Sequence, residues 1–166
     1  MHDGKYKITR IETISDGRVN ENKLGYIGYN PGENKLLKKG DILYSNINSI
    51  SHIGKTAIFE SASTIYHGIN LTRISVCSEF NSYFINYLLN TPKYKLWSIR
   101  HANQAVSQAS INNKDLSKMQ IIAPTLSEQK VVATFLLSLD KLIEEQSNKL
   151  DQLKQQKKAY LQKMFI

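Results

Sequence analysis

The last forty residues of the chain predict one long helix, which constrains the fold more than any other feature. No Gly or Pro interrupts residues 127–166, where Leu, Lys, Gln and Glu, all good helix formers, dominate. At a rise of 1.5 Å per residue this helix extends about 60 Å, beyond the width of a domain built from the remaining residues. We therefore expect it to project from a globular body.

The start of the helix is marked by three residues. Pro124 holds the chain extended, and Ser127 is the predicted N-cap residue, whose hydroxyl accepts a free backbone N–H of the first turn. Glu128 places negative charge at the positive end of the helix. We therefore divide the chain into a body, residues 1–125, and an arm, residues 126–166.

A heptad pattern along the arm predicts a coiled-coil interface of about five heptads. About eight of its ten positions are apolar, Gln146 can fix the register, and Lys157 can reach past the interface or pair across it. Phe135 and Leu142 lie beside this seam, and we expect them to pack on the body. The alternative is an amphipathic helix folded over its own core. The predicted seam consists of Val132, Leu136, Leu139, Ile143, Gln146, Leu150, Leu153, Lys157, Tyr160 and Met164.

The charge of the chain predicts a polyanionic partner. The formal net charge is +8, and the arm carries seven lysines against five acids, so about +6 belongs to the body. Apolar runs are too short to span a bilayer, and the charged N-terminal residues lack a signal-peptide core. We expect a cytoplasmic protein without membrane contact. The single cysteine, Cys77, is predicted as a small core residue.

The body alternates strand and helix signals, which predicts an α+β fold. Two polar segments stand out within it. Residues 46–52 form a predicted loop between two strands, and residues 100–114 are polar, small and without strong periodicity. Their side chains suit base edges, and nearby cations suit phosphates. The aromatic residues of the two predicted body helices, Phe84, Tyr87 and Trp97, are predicted core. Strands are predicted at residues 6–14, 26–29, 42–45, 55–59, 71–77 and 116–122, and helices at 82–90 and 93–100.

The candidate DNA-contacting residues come from these two segments and their basic neighbours. A solvated loop is the alternative reading of each segment. The candidates for base or phosphate contact are Tyr44, Ser45, Asn46, Asn48, His52, Lys55, Arg100, Asn103, Gln104 and Gln108, with Lys38, Lys39 and Arg73 adding phosphate attraction. No Gly-rich phosphate loop, HExxH, GxSxG or zinc-site spacing occurs, so we expect no catalysis, metal or cofactor in this chain.

Four sequence segments together resemble the specificity subunit of type I restriction-modification systems. They are GDILYS at 40–45, IGKTAIF at 53–59, IIAPTLSEQK at 121–130 and QQKKAYLQKMF at 155–165. The similarity covers nearly the whole chain, and the PxLxEQ entry into the helix is its most specific part. The resemblance implies a target recognition domain followed by a conserved spacer helix.

The resemblance also implies a function and partners. In that family each recognition domain reads one half of a split sequence in double-stranded DNA, and two antiparallel helices set the distance between the halves. The subunit docks methyltransferase subunits, which use S-adenosylmethionine, and restriction subunits through them. Because this chain has one recognition domain and one helix, we expect a C-terminal half that pairs with a second copy and reads a palindromic bipartite site.

Three alternatives remain open at this point. The chain can be an oligomerisation or scaffold protein with an incidental basic body, which predicts weak DNA binding without sequence preference. It can be an RNA-binding module, although no stacking-aromatic motif is evident. It can also be a regulator that blocks an intact restriction complex by offering half a subunit.

Overall fold

The computed structural model describes residues 4–14, 17–106 and 108–165. The predicted α+β class is confirmed, with short strands in the body and a long C-terminal helix. The described strands are β1 Tyr6–Ile8, β2 Gly25–Ile27, β3 Ile42–Ser45, β4 Ile47–Asn48, β5 Thr56–Ile58, β6 Ile65–Tyr66, β7 Leu71–Ile74, β8 Asn103–Gln104 and β9 Ala109–Ser110. The α-helices are α1 Ser82–Leu89, α2 Pro92–His101, α3 Asn113–Leu116 and α4 Leu126–Met164, and 3-10 helices span Ile11–Ile14, Glu21–Lys23 and Glu33–Lys35.

The strands form three small sheets, ordered β2-β1-β6, β5-β3-β7 and β4-β9-β8. All pairs are antiparallel except β1 with β6, which run parallel. Strand β3 occupies the centre of the second sheet and has the bounds that the sequence predicts. Its residue Ile42 lies opposite both Ile58 and Ile74.

Every side chain of β3 is buried, and successive side chains enter different parts of the core. Leu43 packs with residues of the strands and loops, including Phe59 and Ile65. Ile42 packs against α1 and the first turns of α4. Tyr44 packs with Ala109 of β9. Near its start the β3 strand therefore packs on the arm, and near its end it packs on the β4-β9-β8 sheet.

The long helix begins at Leu126, and its N-cap residue is Thr125 rather than the predicted Ser127. The Thr125 hydroxyl accepts the backbone N–H of Glu128 at 3.4 Å, and the Glu128 carboxylate accepts the Thr125 N–H at 3.0 Å. This reciprocal pair is a capping box, which satisfies two free donors at once. The hydrogen bonds from Thr125 hold the pKa of the Glu128 carboxyl below its usual value. Ser127 has no acid three residues later to complete such a box.

Only the first half of α4 packs on the body. Its 39 residues span about 58 Å. Gln129 and Ala133 are buried, whereas Phe135 and Leu142, predicted to pack on the body, are 60 and 54 % exposed. From residue 141 to residue 165 every side chain is exposed. We call residues 141–164 the free arm. Among the described residues, no helix combines the length and apolarity that a bilayer crossing requires.

Three other sequence predictions are wrong. Residues 116–122 form no strand, because Leu116 and Met119 reach the core from a helical turn while Ile122 is 77 % exposed. Cys77 is exposed rather than buried, since β7 ends at Ile74. The predicted first strand stops at Ile8, and the chain then turns into a 3-10 helix that buries Ile14.

Candidate nucleic-acid interface

The two polar segments singled out in the sequence meet in one sheet. Within it, β9 is the central strand, with β4 on one side and β8 on the other. Asn48 of β4 and Gln104 of β8 both lie opposite Ala109 of β9. We call this β4-β9-β8 unit the polar sheet. It brings predicted readers from both segments into one sheet.

Buried apolar contacts and one backbone hydrogen bond anchor the polar sheet to the body. Ala109 and Ile111 are 1 % exposed and pack with Tyr44 and Ile53. The Ile111 N–H donates to the Asn46 carbonyl at 2.8 Å, which extends the pairing beyond the strands. The exposed groups of the sheet are therefore carried on a fixed base, as specific recognition requires.

The hairpin between β8 and β9 presents most of the exposed candidates. The Ala105 N–H donates to the Gln108 carbonyl at 2.8 Å and closes the turn. Asn103, Gln104 and Gln108 are exposed, and Val106 at the tip is fully exposed. Carboxamides pair with adenine edges, and an apolar tip suits a thymine methyl group. The hairpin thus offers both kinds of base contact.

The turn at residues 49–52 presents a second exposed polar group beside the hairpin. The His52 ring Nδ1 lies 2.8 Å from the Ser51 hydroxyl and 3.2 Å from the Ser49 hydroxyl. The backbone N–H groups of His52 and Ile53 both donate to the Ser49 carbonyl. The predicted reader His52 is therefore exposed and held in place by its neighbours.

Asn46 and Asn48 lie half-buried at the base of this turn. The Asn48 side-chain amide donates to the Ser45 hydroxyl at 3.0 Å. The Asn46 Oδ1 atom is buried without a hydrogen-bond partner among the described residues. Such an acceptor costs roughly 1–3 kcal/mol, so a donor from water or from a bound polar group would stabilise this corner.

Tyr44 and Ser45, two predicted readers, have no surface to offer to DNA. Both are buried, at 1 and 0 % exposure. The Tyr44 hydroxyl lies 2.7 Å from the Ser98 hydroxyl of α2, and burial raises the pKa of the Tyr44 phenol. Because their side chains face the core, the two residues hold the loop and α2 in place instead of contacting a ligand.

The predicted phosphate contacts divide into two groups in space. Lys38 and Lys39 are exposed, but they precede β3, whereas the polar sheet follows its other end. Arg73 donates to the Leu36 carbonyl at 2.7 Å and supports the body. The structure therefore does not bring these three cations to the polar sheet.

Lys55 lies beside the polar sheet, and a second lysine that sequence reasoning missed lies near it. Helix α2 approaches Gly54 so closely that a Cβ atom there would lie 2.3 Å from the Ser98 hydroxyl. Lys95, one turn earlier on α2, has its pKa lowered by burial and by the nearby charge of Lys55. Two ammonium groups in this arrangement attract an anion.

The end of α2 adds further exposed groups at the start of β8. Arg100 and His101 are exposed in its last turn. The His101 ring stacks on Trp97 with centroids 4.1 Å apart, and its Nδ1 lies 2.9 Å from the Trp97 carbonyl. Arg100 thus remains a candidate beside the polar sheet, and His101 joins it. Helical spacing from Trp97 to His101 was the signal available in the sequence.

The predicted seam of the arm is an exposed apolar strip. Leu136 is half-buried, and Ile143, Leu150 and Leu153 are 66, 52 and 53 % exposed. Single exposed apolar residues are common on protein surfaces, whereas exposed apolar strips of this length are not. The other exposed positions of the seam are Val132, Leu139, Gln146, Lys157, Tyr160 and Met164.

The chain combines a basic body, an exposed hairpin on the polar sheet and a projecting helix. A family model described as the type I restriction modification DNA specificity domain matches residues 2–155. The chain belongs to this family.

Two comparisons give relatives of the chain. It is 39 % identical over 165 residues to a putative type I restriction enzyme MjaX specificity subunit from Methanocaldococcus jannaschii, covering 96 % of this chain and 39 % of the relative. It also resembles, at 19 % identity and a TM-score of 0.59, a chain solved to explain complex assembly and conformational transition of the type I R-M system. That match covers 97 % of this chain and 36 % of the solved one, and it supports the fold.

The chain thus spans well under half the length of the relatives it matches. These matches establish the family and the fold.

Proposed function

We propose that this chain reads one half of a bipartite double-stranded DNA site, as part of a type I restriction-modification specificity subunit. The proposal rests on the polar sheet, which joins two polar segments distant in sequence, and on its exposed β8–β9 hairpin. Family membership and a body charge of about +6 support the same function.

The division of labour in this proposal follows the chemistry of the side chains. Asn103, Gln104 and Gln108 read base edges from the hairpin, with His52 beside them. Lys55, Lys95 and Arg100 contact phosphates and position the sheet on the duplex. Specificity then depends on the hairpin, and most of the salt-dependent affinity depends on the cations.

The arm has a separate role, which is to set the separation of two reading sites. We propose that its seam pairs with a second such helix, from another copy of this chain, around a two-fold axis. The 24 residues of the free arm extend about 36 Å, which is close to one helical turn of B-DNA. Two polar sheets at that separation can face the same side of a duplex.

The proposed assembly includes other subunits. The chain itself is non-catalytic and carries no cofactor, and it directs methyltransferase subunits, which hold S-adenosylmethionine, and restriction subunits to the DNA site in the cytoplasm. Body residues 1–125 recognise the target, and residues 126–166 form the spacer and dimerisation arm.

Selection of bound duplexes from a randomised pool, followed by sequencing, tests the proposal. The expected result is a defined half-site, repeated in inverted orientation if two copies pair. The control is the same selection with competitor DNA at raised salt, where sequence-independent binding falls first. A pool that stays random while the chain forms dimers would contradict the proposal and favour a scaffold function.

A further inference from the structure

Gln129, near the start of α4, connects the arm to helix α1 through hydrogen bonds of its side chain. This side chain is 1 % exposed, and its Oε1 accepts the backbone N–H of Asn81, the N-cap residue of α1, at 2.9 Å. Its Nε2 donates to the Pro124 carbonyl at 2.9 Å. The buried Gln129 amide therefore joins α1 and the entry of the arm through two hydrogen bonds.

A second hydrogen bond between α1 and the arm lies near the other end of α1. The Tyr87 hydroxyl donates to the Asp140 carboxylate at 2.5 Å. Burial raises the pKa of the Tyr87 phenol, and the Asp140 carboxylate raises it further, so the hydroxyl keeps its proton and remains a donor. Asp140 is also the last residue of α4 that is not exposed.

The two α4 residues that make these hydrogen bonds, Gln129 and Asp140, are eleven residues apart, which is about 16 Å along the helix. A helix that is held at one point can change its direction relative to the body, whereas a helix that is held at two separated points cannot. Between them Ala133 is buried in the core and Leu137 is half-buried. Beyond Asp140 every side chain of the helix is exposed.

We infer that the Tyr87–Asp140 hydrogen bond is a positioning contact that fixes the direction of the free arm, and through it the spacing of the bipartite DNA site. This inference rests on the proposed function. Rotation of the arm by about 10° moves its tip, about 36 Å away, by about 6 Å. Base pairs rise 3.4 Å, so such a rotation changes the preferred spacing by nearly two of them.

Tyr83 provides a matched control one turn earlier on the same helix. Its hydroxyl donates to the Glu60 carboxylate at 2.9 Å, and burial likewise raises the pKa of its phenol. Glu60 belongs to the body, so this hydrogen bond does not reach the arm. Replacing either tyrosine by phenylalanine removes one hydroxyl from α1, but only Tyr87→Phe releases α4.

Distances between spin labels measure the direction of the arm. One nitroxide is attached to the native Cys77, which is exposed on the body, and the other to Gln155→Cys on the free arm, off the seam. Labelled chains are diluted into unlabelled chains so that each distance arises within one molecule. The distance distribution is measured for the parent, Tyr87→Phe, Asp140→Lys and Tyr83→Phe.

The inference predicts that Tyr87→Phe and Asp140→Lys shift or broaden the distribution by about 4 Å, while Tyr83→Phe leaves it unchanged. Unchanged distributions in both arm variants would overturn it. Equal broadening in Tyr83→Phe would also overturn it, because that result indicates general loosening of α1.

A selection with duplexes of variable spacer length connects the arm to DNA recognition. Tyr87→Phe is expected to accept spacers that the parent rejects, with the sequence of each half-site unchanged. Identical spacer preferences would overturn the link between arm direction and spacing. If the parent itself selects no half-site, the proposed function fails, and the label distances still decide whether Tyr87 fixes the arm.

Discussion

Asn48 and Ala109, which lie 61 residues apart in the chain, are register partners in one small antiparallel sheet. Ala109 is buried against Tyr44, and Gln104 lies on its other side. This pairing brings together in one sheet two segments that the sequence presents separately. The proposed role of the body in DNA recognition depends on this sheet and on its exposed hairpin.

Gly54 is predicted to be intolerant of a side chain. Gly54→Ala introduces a positive-φ alanine and a clash with the Ser98 hydroxyl, whereas Gly17→Ala, at φ 76°, has nothing within 4 Å of its new Cβ. We expect Gly17→Ala to cost about 1 kcal/mol of unfolding free energy and Gly54→Ala about 2 kcal/mol more. Chemical denaturation measures both. Equal losses of unfolding free energy in the two variants would show that α2 does not contact Gly54 closely enough to exclude a Cβ atom.

Lys95 is predicted to contribute to DNA affinity but not to folding stability. Lys95→Gln relieves repulsion from Lys55, so the free energy of unfolding is expected to stay level or rise. The slope of log binding constant against log salt is expected to fall by about one. Lys39→Gln removes the same charge at the opposite end of β3 and is expected to leave the slope unchanged. A smaller slope in Lys39→Gln alone would place the phosphate contacts elsewhere.

The seam of the arm is predicted to hold two chains together. Leu139→Lys with Leu153→Lys buries two charges in the interface, so a dimer is expected to fall to a monomer of half the mass by light scattering. Ser147→Lys lies on the free arm outside the seam and is expected to leave the dimer intact. A monomeric parent chain would contradict pairing between copies.

Stability is predicted to fall between pH 7 and pH 5 because of His67. Burial lowers the pKa of this histidine below its usual value of about 6.5. As pH drops through that value the unfolded chain binds a proton that the folded chain does not, so the free energy of unfolding decreases. Asp115 and Glu128, whose pKa values are lowered by hydrogen bonds, act only at more acidic pH. Denaturation curves of His67→Gln are expected to vary less with pH, and an equal dependence would contradict the assignment.

Sequence patterns alone predicted the strands and helices that are determined by their own residues. Strand β3 and helices α1, α2 and α4 were predictable from apolar spacing and the absence of Gly and Pro in the arm. The Thr125–Glu128 capping box was also present in the sequence, three residues apart, and would have corrected the cap. The strand predicted at residues 116–122 is wrong because apolar content alone does not distinguish a strand from a turn whose side chains reach the core.

The candidate site was only partly predictable, because exposure is decided by tertiary packing. Polarity marked Gln104 and His52, which the structure leaves exposed. It also marked Tyr44 and Ser45, which a buried strand carries into the core. Lys95 was not predicted as a phosphate contact, because it is a candidate only through its proximity to Lys55. That proximity arises when α2 packs on Gly54.

DNA selection with a single change in the polar sheet tests whether that sheet recognises the DNA sequence. Parent chain, Gln104→Ala and Gln120→Ala are each challenged with randomised duplexes, and Gln120 is an exposed residue outside the sheet. Gln104→Ala is predicted to lose base preference at one position, with about 10- to 100-fold weaker binding to the parent site, while Gln120→Ala selects the parent site. The same selected sequence and affinity in all three would contradict recognition through the polar sheet.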